Sequence, residues 1–86
     1  MNKNVLEKLI LERLKFDKPS GEGIYDIVDA LIRICKCFYP NIDELSVQSQ
    51  VFGLISKLAG SGKIRKFGYA PYSGCYPHNT QSVWGI

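Results

Sequence analysis

The residues best suited to chemistry lie in the second half of the chain, on a predicted helix and the basic segment after it. Gln, Ser and Lys side chains can bond base edges or phosphates, and Gly allows the backbone to approach a ligand closely. On the helix these residues are Gln48, Ser49, Gln50, Gly53, Ser56 and Lys57. On the segment they are Lys63, Arg65 and Lys66, three bases within four residues that form a compact positive patch. This pattern is typical of contacts with a nucleic acid.

Acidic residues are confined to the first half of the chain. Residues 45–86 hold four basic and no acidic side chains, a net charge of +4, whereas residues 1–44 hold seven bases and eight acids, a net charge of −1. Such an asymmetry favours a polyanionic partner. Two alternatives stay open. Residues 48–57 could form an ordinary solvated helix face, and residues 63–66 an edge strand that its charges protect from aggregation.

Four further side chains could anchor a partner. They are Phe52, Tyr72, Tyr76 and His78. Aromatic residues beside a basic segment can stack on unpaired bases, fill a protein interface or pack against the chain's own helices. The sequence leaves these three roles open.

The sequence lacks the patterns of an enzyme or a metal centre. It holds one His and no Ser/His/Asp arrangement at a suitable spacing. Cys75 and His78 have a spacing compatible with zinc, but Cys35 and Cys37 lie two apart on a predicted helix and point in different directions. We therefore expect no catalysis, no metal and no cofactor.

Three helices and two strands must position the candidate residues. Apolar residues at helical spacing predict helices over residues 4–15, 24–39 and 47–59. Strand-like segments cover residues 63–69 and 82–86. Pro40 should end the second helix, and Ser46 is the expected N-cap of the third. Residues 70–81, with two prolines and a glycine, are predicted to form a loop.

Length and composition predict one small cytoplasmic domain, residues 1–86. The chain is 45% hydrophobic and 22% charged, as is ordinary for a soluble domain. Charged residues near the start exclude a signal peptide, and no apolar run is long enough to span a bilayer. An odd number of cysteines, three, favours reduced thiols. We expect an α+β, mainly helical fold without membrane contact.

The order of elements resembles the winged helix-turn-helix superfamily. The residues that carry the resemblance run from Ser46 to Lys66, SVQSQVFGLISKLAGSGKIRK, and the closing segment VWGI is similar to a last wing strand. The resemblance implies a three-helix domain with a C-terminal two-stranded β-wing. It also implies that helix 47–59 is the recognition helix in a major groove. Residues 70–81 contain no Lys or Arg, unlike wings that enter a minor groove.

Residues and resemblance together predict a double-stranded DNA-binding protein, either a small transcriptional regulator or an accessory factor of phage or mobile-element type. A homodimer is expected through helix 4–15, where Leu11 lies off the main apolar stripe. Two alternatives stay open. One is a winged-helix protein–protein interaction module anchored by Phe52, Tyr72 and Tyr76. The other is a single-strand or RNA binder that stacks bases on its tyrosines.

Overall fold

Three helices pack against one small antiparallel sheet in the computed structural model, which describes residues 3–16, 20–72 and 80–86. The helices are α1 (Lys3–Phe16), α2 (Ile24–Phe38) and α3 (Glu44–Gly60). The strands are β1 (Glu22–Gly23), β2 (Arg65–Pro71) and β3 (Thr80–Gly85), in the sheet order β1-β3-β2. The predicted α+β, mainly helical class is confirmed. Among the described residues, no helix is long and apolar enough to cross a membrane.

Each helix contributes one apolar stripe to a shared core. The buried hydrophobic residues are Leu6, Ile10 and Leu14 of α1, Ile27, Val28, Leu31, Ile32 and Cys35 of α2, Val47, Val51, Leu54, Ile55 and Leu58 of α3, and Ile64. Their spacing of three and four residues is the spacing from which the helices were predicted. The predicted bounds of the first two helices agree with the structure to within one residue at each end.

The sheet has three strands rather than the predicted two. Glu22 pairs with Trp84 and Gly23 with Val83, which adds β1 to the free edge of β3. The sequence did not predict this strand, because two residues beside a glycine-rich turn show no alternating pattern. The strand exists because β3 supplies backbone partners from the far end of the chain.

The third helix starts earlier than predicted, and its cap is Asp43 rather than Ser46. The Asp43 carboxylate accepts a hydrogen bond from the Leu45 amide at 3.1 Å, so α3 gains a turn at its N-terminus. At the other end Gly62 adopts φ +78°. The Gly62 amide donates to Ala59 O at 3.1 Å and the Lys63 amide to Leu58 O at 3.0 Å. This is the Schellman pattern that the glycines around Ser61 predict.

The two longer strands are displaced by one or two residues at each end from their predicted positions. The strand predicted at 63–69 is Arg65–Pro71, and the one predicted at 82–86 is Thr80–Gly85. The register of β2 on β3 shifts between Lys66 and Gly68, so Phe67 is the extra residue of a β-bulge. The Phe67 ring lies so close to Gly85 that a Cβ added there would stand 2.3 Å from it. A side chain at position 85 would therefore displace the Phe67 ring from its present position.

One side chain, Gln81 of β3, connects the sheet to the start of α2. The N-cap of α2 is Gly23, which has no side chain to accept from the first amides. Gln81 Oε1 accepts from the Tyr25 and Asp26 amides at 2.9 and 3.2 Å, and its Nε2 donates to the Asp26 carboxylate at 2.9 Å. Gln81 is 3% exposed. A residue from the far end of the chain thus replaces the missing N-cap.

We expect Gln81→Ala to destabilise the fold by roughly 1–3 kcal/mol, because it removes a cap and leaves two amides of α2 without a partner. Urea unfolding followed by circular dichroism measures this change. Thr80→Ala, at the exposed neighbouring position, is the matched control and should leave the midpoint nearly unchanged. Equal midpoints for the two variants would contradict the capping role.

Candidate functional site

The side of α3 opposite the core carries small polar residues. Ser49, Gly53 and Ser56 are all exposed, at a spacing of three and four residues that places them along one line of the helix. No acidic residue follows Glu44 in the chain. A hydrogen-bonding ligand can therefore approach this face without meeting negative charge on the helix beyond its first turn.

The two glutamines predicted to read bases sit on the flanks of this face. Gln48 and Gln50 are each half-buried. Gln50 Nε2 donates to Ser46 Oγ at 3.2 Å, and Gln50 Oε1 is buried without a hydrogen-bond partner among the described residues. Ser46, predicted as a helix cap, instead orients this side chain. Gln48 makes no side-chain hydrogen bond within the described part of the chain, so its amide is the freer of the two.

Two predicted phosphate-binding lysines meet at one acidic residue of α1. Lys57 Nζ lies 3.8 Å and Lys63 Nζ 4.0 Å from the Glu7 carboxylate. The lysine side chains are 68% and 59% exposed, so these long ion pairs hold them only weakly. Glu7 was not among the predicted site residues. No pattern in the sequence indicates that α1 passes beside the end of α3.

The two acids at the start of α3 do not pair with the basic segment. Asp43 caps α3, and the Glu44 carboxylate lies 2.5 Å from Lys36 Nζ. Among the described residues, the acid beside the basic segment is Glu7, near Lys63. Both acids lie at the N-terminus of α3, whereas Lys63 follows its C-terminus.

Lys66 lies on the face of β2 that turns toward α3. Its ammonium group donates to the Tyr69 hydroxyl and lies 4.1 Å from the centre of that ring. Tyr69 is 70% exposed. Together with Tyr25 and Phe52 these residues line a shallow hollow of about 350 Å³ between the hairpin and the helices. A cation and an aromatic face are thus presented side by side at its rim.

Arg65 projects from the other face of the same strand. Its guanidinium group lies 5.3 Å from the centre of the Phe67 ring. Strand alternation alone would place Lys63 and Arg65 on one side and Lys66 on the other. Lys63 precedes the strand, however, and lies beside Lys57. The three bases therefore point in three directions instead of forming one compact patch.

Phe52 and Tyr72, predicted as anchors for a partner, both pack against the Tyr25 ring of α2. The Tyr25 ring meets Phe52 edge-on at 6.2 Å and Tyr72 at 5.0 Å between centroids. The Tyr72 hydroxyl donates to the Asp29 carboxylate at 2.7 Å. Both residues are half-buried, which favours the packing role over the interface role. The other two predicted anchors, Tyr76 and His78, lie outside the described residues.

The described cysteines differ in environment as their two-residue spacing predicts. Cys35 is buried and Cys37 is exposed. Burial raises the pKa of the Cys35 thiol, so this group stays protonated and packs as a small apolar side chain. Among residues 3–16, 20–72 and 80–86, no three His, Cys, Asp or Glu side chains cluster as a metal site would require. Cys75 lies outside these ranges.

Comparison of the chain with protein-family models, with curated proteins and with solved structures finds no match. The geometry described above is therefore the basis on which a function can be argued.

Proposed function

We propose that the protein is a winged helix-turn-helix protein that binds double-stranded DNA, with α3 in the major groove and the β2–β3 hairpin as the wing. The observation that carries the proposal is the position of the cations relative to α3. Lys57 and Lys63 lie on its α1 side, Lys66 lies toward its hairpin side, and the face between them is polar and almost free of acids. A helix in a major groove has a phosphate strand on each side.

The element order supports the same proposal. A short strand between the first two helices pairs with the last strand of a C-terminal hairpin, and the hairpin follows the third helix directly. In a winged helix this arrangement leaves one face of the third helix open beside the hairpin. The shallow hollow that Phe52 and Lys66 line lies at that junction.

Base contacts are assigned to the exposed line of α3 and its flank. Ser49 and Ser56 can donate to or accept from a base edge, and Gly53 lets the helix approach the groove floor. Gln48 offers a donor and an acceptor on one planar group, which suits adenine. The Gln50 amide can make the same contact with adenine once its hydrogen bond to Ser46 breaks. Because Gln50 Oε1 has no partner among the described residues, this rearrangement costs little free energy.

Phosphate contacts are assigned to Lys57, Lys63 and Lys66, with Arg65 reaching the backbone from the outer face of the hairpin. Tyr69 fixes the position of the Lys66 ammonium group and adds its own hydroxyl as a donor. Because residues 70–81 contain no Lys or Arg, we assign the hairpin to the DNA backbone rather than to a minor groove. The protein then acts as a regulator or accessory factor through binding alone, without catalysis.

Binding to random duplex DNA should weaken as salt rises, with a log–log slope of roughly −3 to −4 for three to four phosphates at about 0.9 each. Replacing one cation from each side of α3, in a Lys57→Gln/Lys66→Gln variant, should reduce the slope by about 2. Fluorescence anisotropy at several salt concentrations measures both values.

The matched control replaces Lys15 and Arg33, two exposed bases on α1 and α2, by Gln. It removes the same charge but should leave the slope unchanged. Equal losses in the two double variants would mean that net charge alone drives binding and would contradict the proposed site. Tight binding to single strands that Tyr69→Ala abolishes would favour the single-strand alternative instead.

Glu7→Gln should tighten duplex binding about fivefold, because the Glu7 carboxylate competes with phosphate for Lys57 and Lys63 at a cost on the order of 1 kcal/mol. The same titration measures the effect. In a Lys57→Gln/Lys63→Gln background the substitution should change little, since both competing cations are gone. An unchanged affinity in the otherwise wild-type chain would show that these lysines do not contact DNA.

A further inference from the structure

A stripe of apolar residues remains exposed along the groove between α1 and α2. Val5 is 46%, Phe16 91% and Phe38 72% exposed. Leu9 and Ile34 continue the stripe between them and are half-buried. With Phe16 and Glu12 they line a hollow of about 400 Å³. Surface helices usually turn polar residues outward, so a contiguous apolar stripe marks a contact surface.

This stripe lies on the helix that the sequence predicted for dimerisation, but not on the side of Leu11. Leu11 is half-buried and packs against the core, as Leu9 does, but it does not line the hollow between α1 and α2. A dimer contact through Leu11 stays a prediction. Glu7 lies on the side of α1 that faces Lys57 of α3. Leu9 and Phe16 lie on a different side, which faces α2.

The charges beside the stripe indicate what covers it. Glu12 lies within the stripe, one helical turn from Leu9 and from Phe16, and Lys8 lies one turn before it. Neither Glu12 nor Lys8 forms an ion pair with another described residue. When two copies of α1 lie antiparallel with Val5 of each opposite Phe16 of the other, Glu12 of each copy falls beside Lys8 of the other. The charges beside the stripe are thus complementary between the two copies in this register.

We propose that the stripe formed by Val5, Leu9, Phe16, Ile34 and Phe38 binds a second copy of this chain, in a two-fold symmetric dimer centred on antiparallel α1 helices. In such an interface each contact occurs twice, so the Glu12–Lys8 pair is formed on both sides of the axis. Phe16 of each copy enters the α1–α2 groove of the other. The exposed faces of both α3 helices stay open, because α3 lies on the other side of α1.

The proposal does not depend on DNA binding, and it is tested without DNA. Sedimentation velocity over a range of concentrations should show the wild-type chain approaching twice its 9.7 kDa mass. Phe16→Glu should shift the dimer–monomer midpoint at least tenfold toward higher concentration with an unchanged circular dichroism spectrum, since Phe16 contributes little to the fold. Leu45→Glu is the control, because Leu45 is 71% exposed on α3 and lies outside the stripe.

A charge swap tests the register of the dimer. Glu12→Lys alone and Lys8→Glu alone should each weaken association. Each substitution puts two like charges side by side at both symmetry-related positions of the interface. The double variant Lys8→Glu/Glu12→Lys should restore it to within a fewfold of wild type. A wild-type chain that stays monomeric at high micromolar concentration would overturn the proposal. It would indicate that a different protein covers the stripe. If the double variant does not regain association, the antiparallel register on which the proposal rests is wrong.

Discussion

The amide group of Gln81 is the contact on which the arrangement of helices and sheet depends. It is almost fully buried, it caps α2, and it holds Asp26 at 2.9 Å. Its Nε2 also lies 3.4 Å from Pro71 O of β2, so one side chain touches both strands of the hairpin and the second helix. Gly23 has to be glycine for this contact to exist, because a Cβ there would stand 2.1 Å from the Gln81 carboxamide carbon. The contacts of Gln81 with α2 and Gly23 therefore set the orientation of the hairpin relative to the helices.

The aromatic contacts around Tyr25 extend the same connection to α3. Phe52 of α3 meets Tyr25 of α2, which meets Tyr72 beside β2, and Tyr72 is bonded to Asp29. A hairpin tied to the helices at two places presents Lys66 and Tyr69 at a fixed position relative to α3. This is the preorganisation that a binding surface built from two elements needs.

The helices were predictable because their signals are local. Apolar spacing, Pro40 and the glycines around Ser61 each act within a few residues of the boundary that they set. The early start of α3 was missed because Ser46, a favoured cap residue, was expected to begin the helix, whereas Asp43 caps it three positions earlier. Strand β1 and the Gln81 cap were missed because both join residues that lie far apart in the chain, 56 positions apart for the Tyr25–Gln81 hydrogen bond.

The candidate site was predictable in its composition but not in its layout. The exposed positions of Ser49, Gly53 and Ser56 follow from helical periodicity. The grouping of the bases does not, because it depends on where α1 brings Glu7 and on the bulge at Phe67. The same limit applies to the exposed apolar stripe, because the side of α1 that stays uncovered depends on where α2 and α3 pack.

The most direct test of the account is the map of amide resonances that a short duplex perturbs, recorded by NMR on the ¹⁵N-labelled protein. The account predicts that the largest shifts fall on Ser49, Gly53, Ser56 and Lys66, while Phe38 and Tyr39 at the end of α2 stay unperturbed. Shifts centred on the α2–α3 turn, or no shifts at low salt, would contradict it.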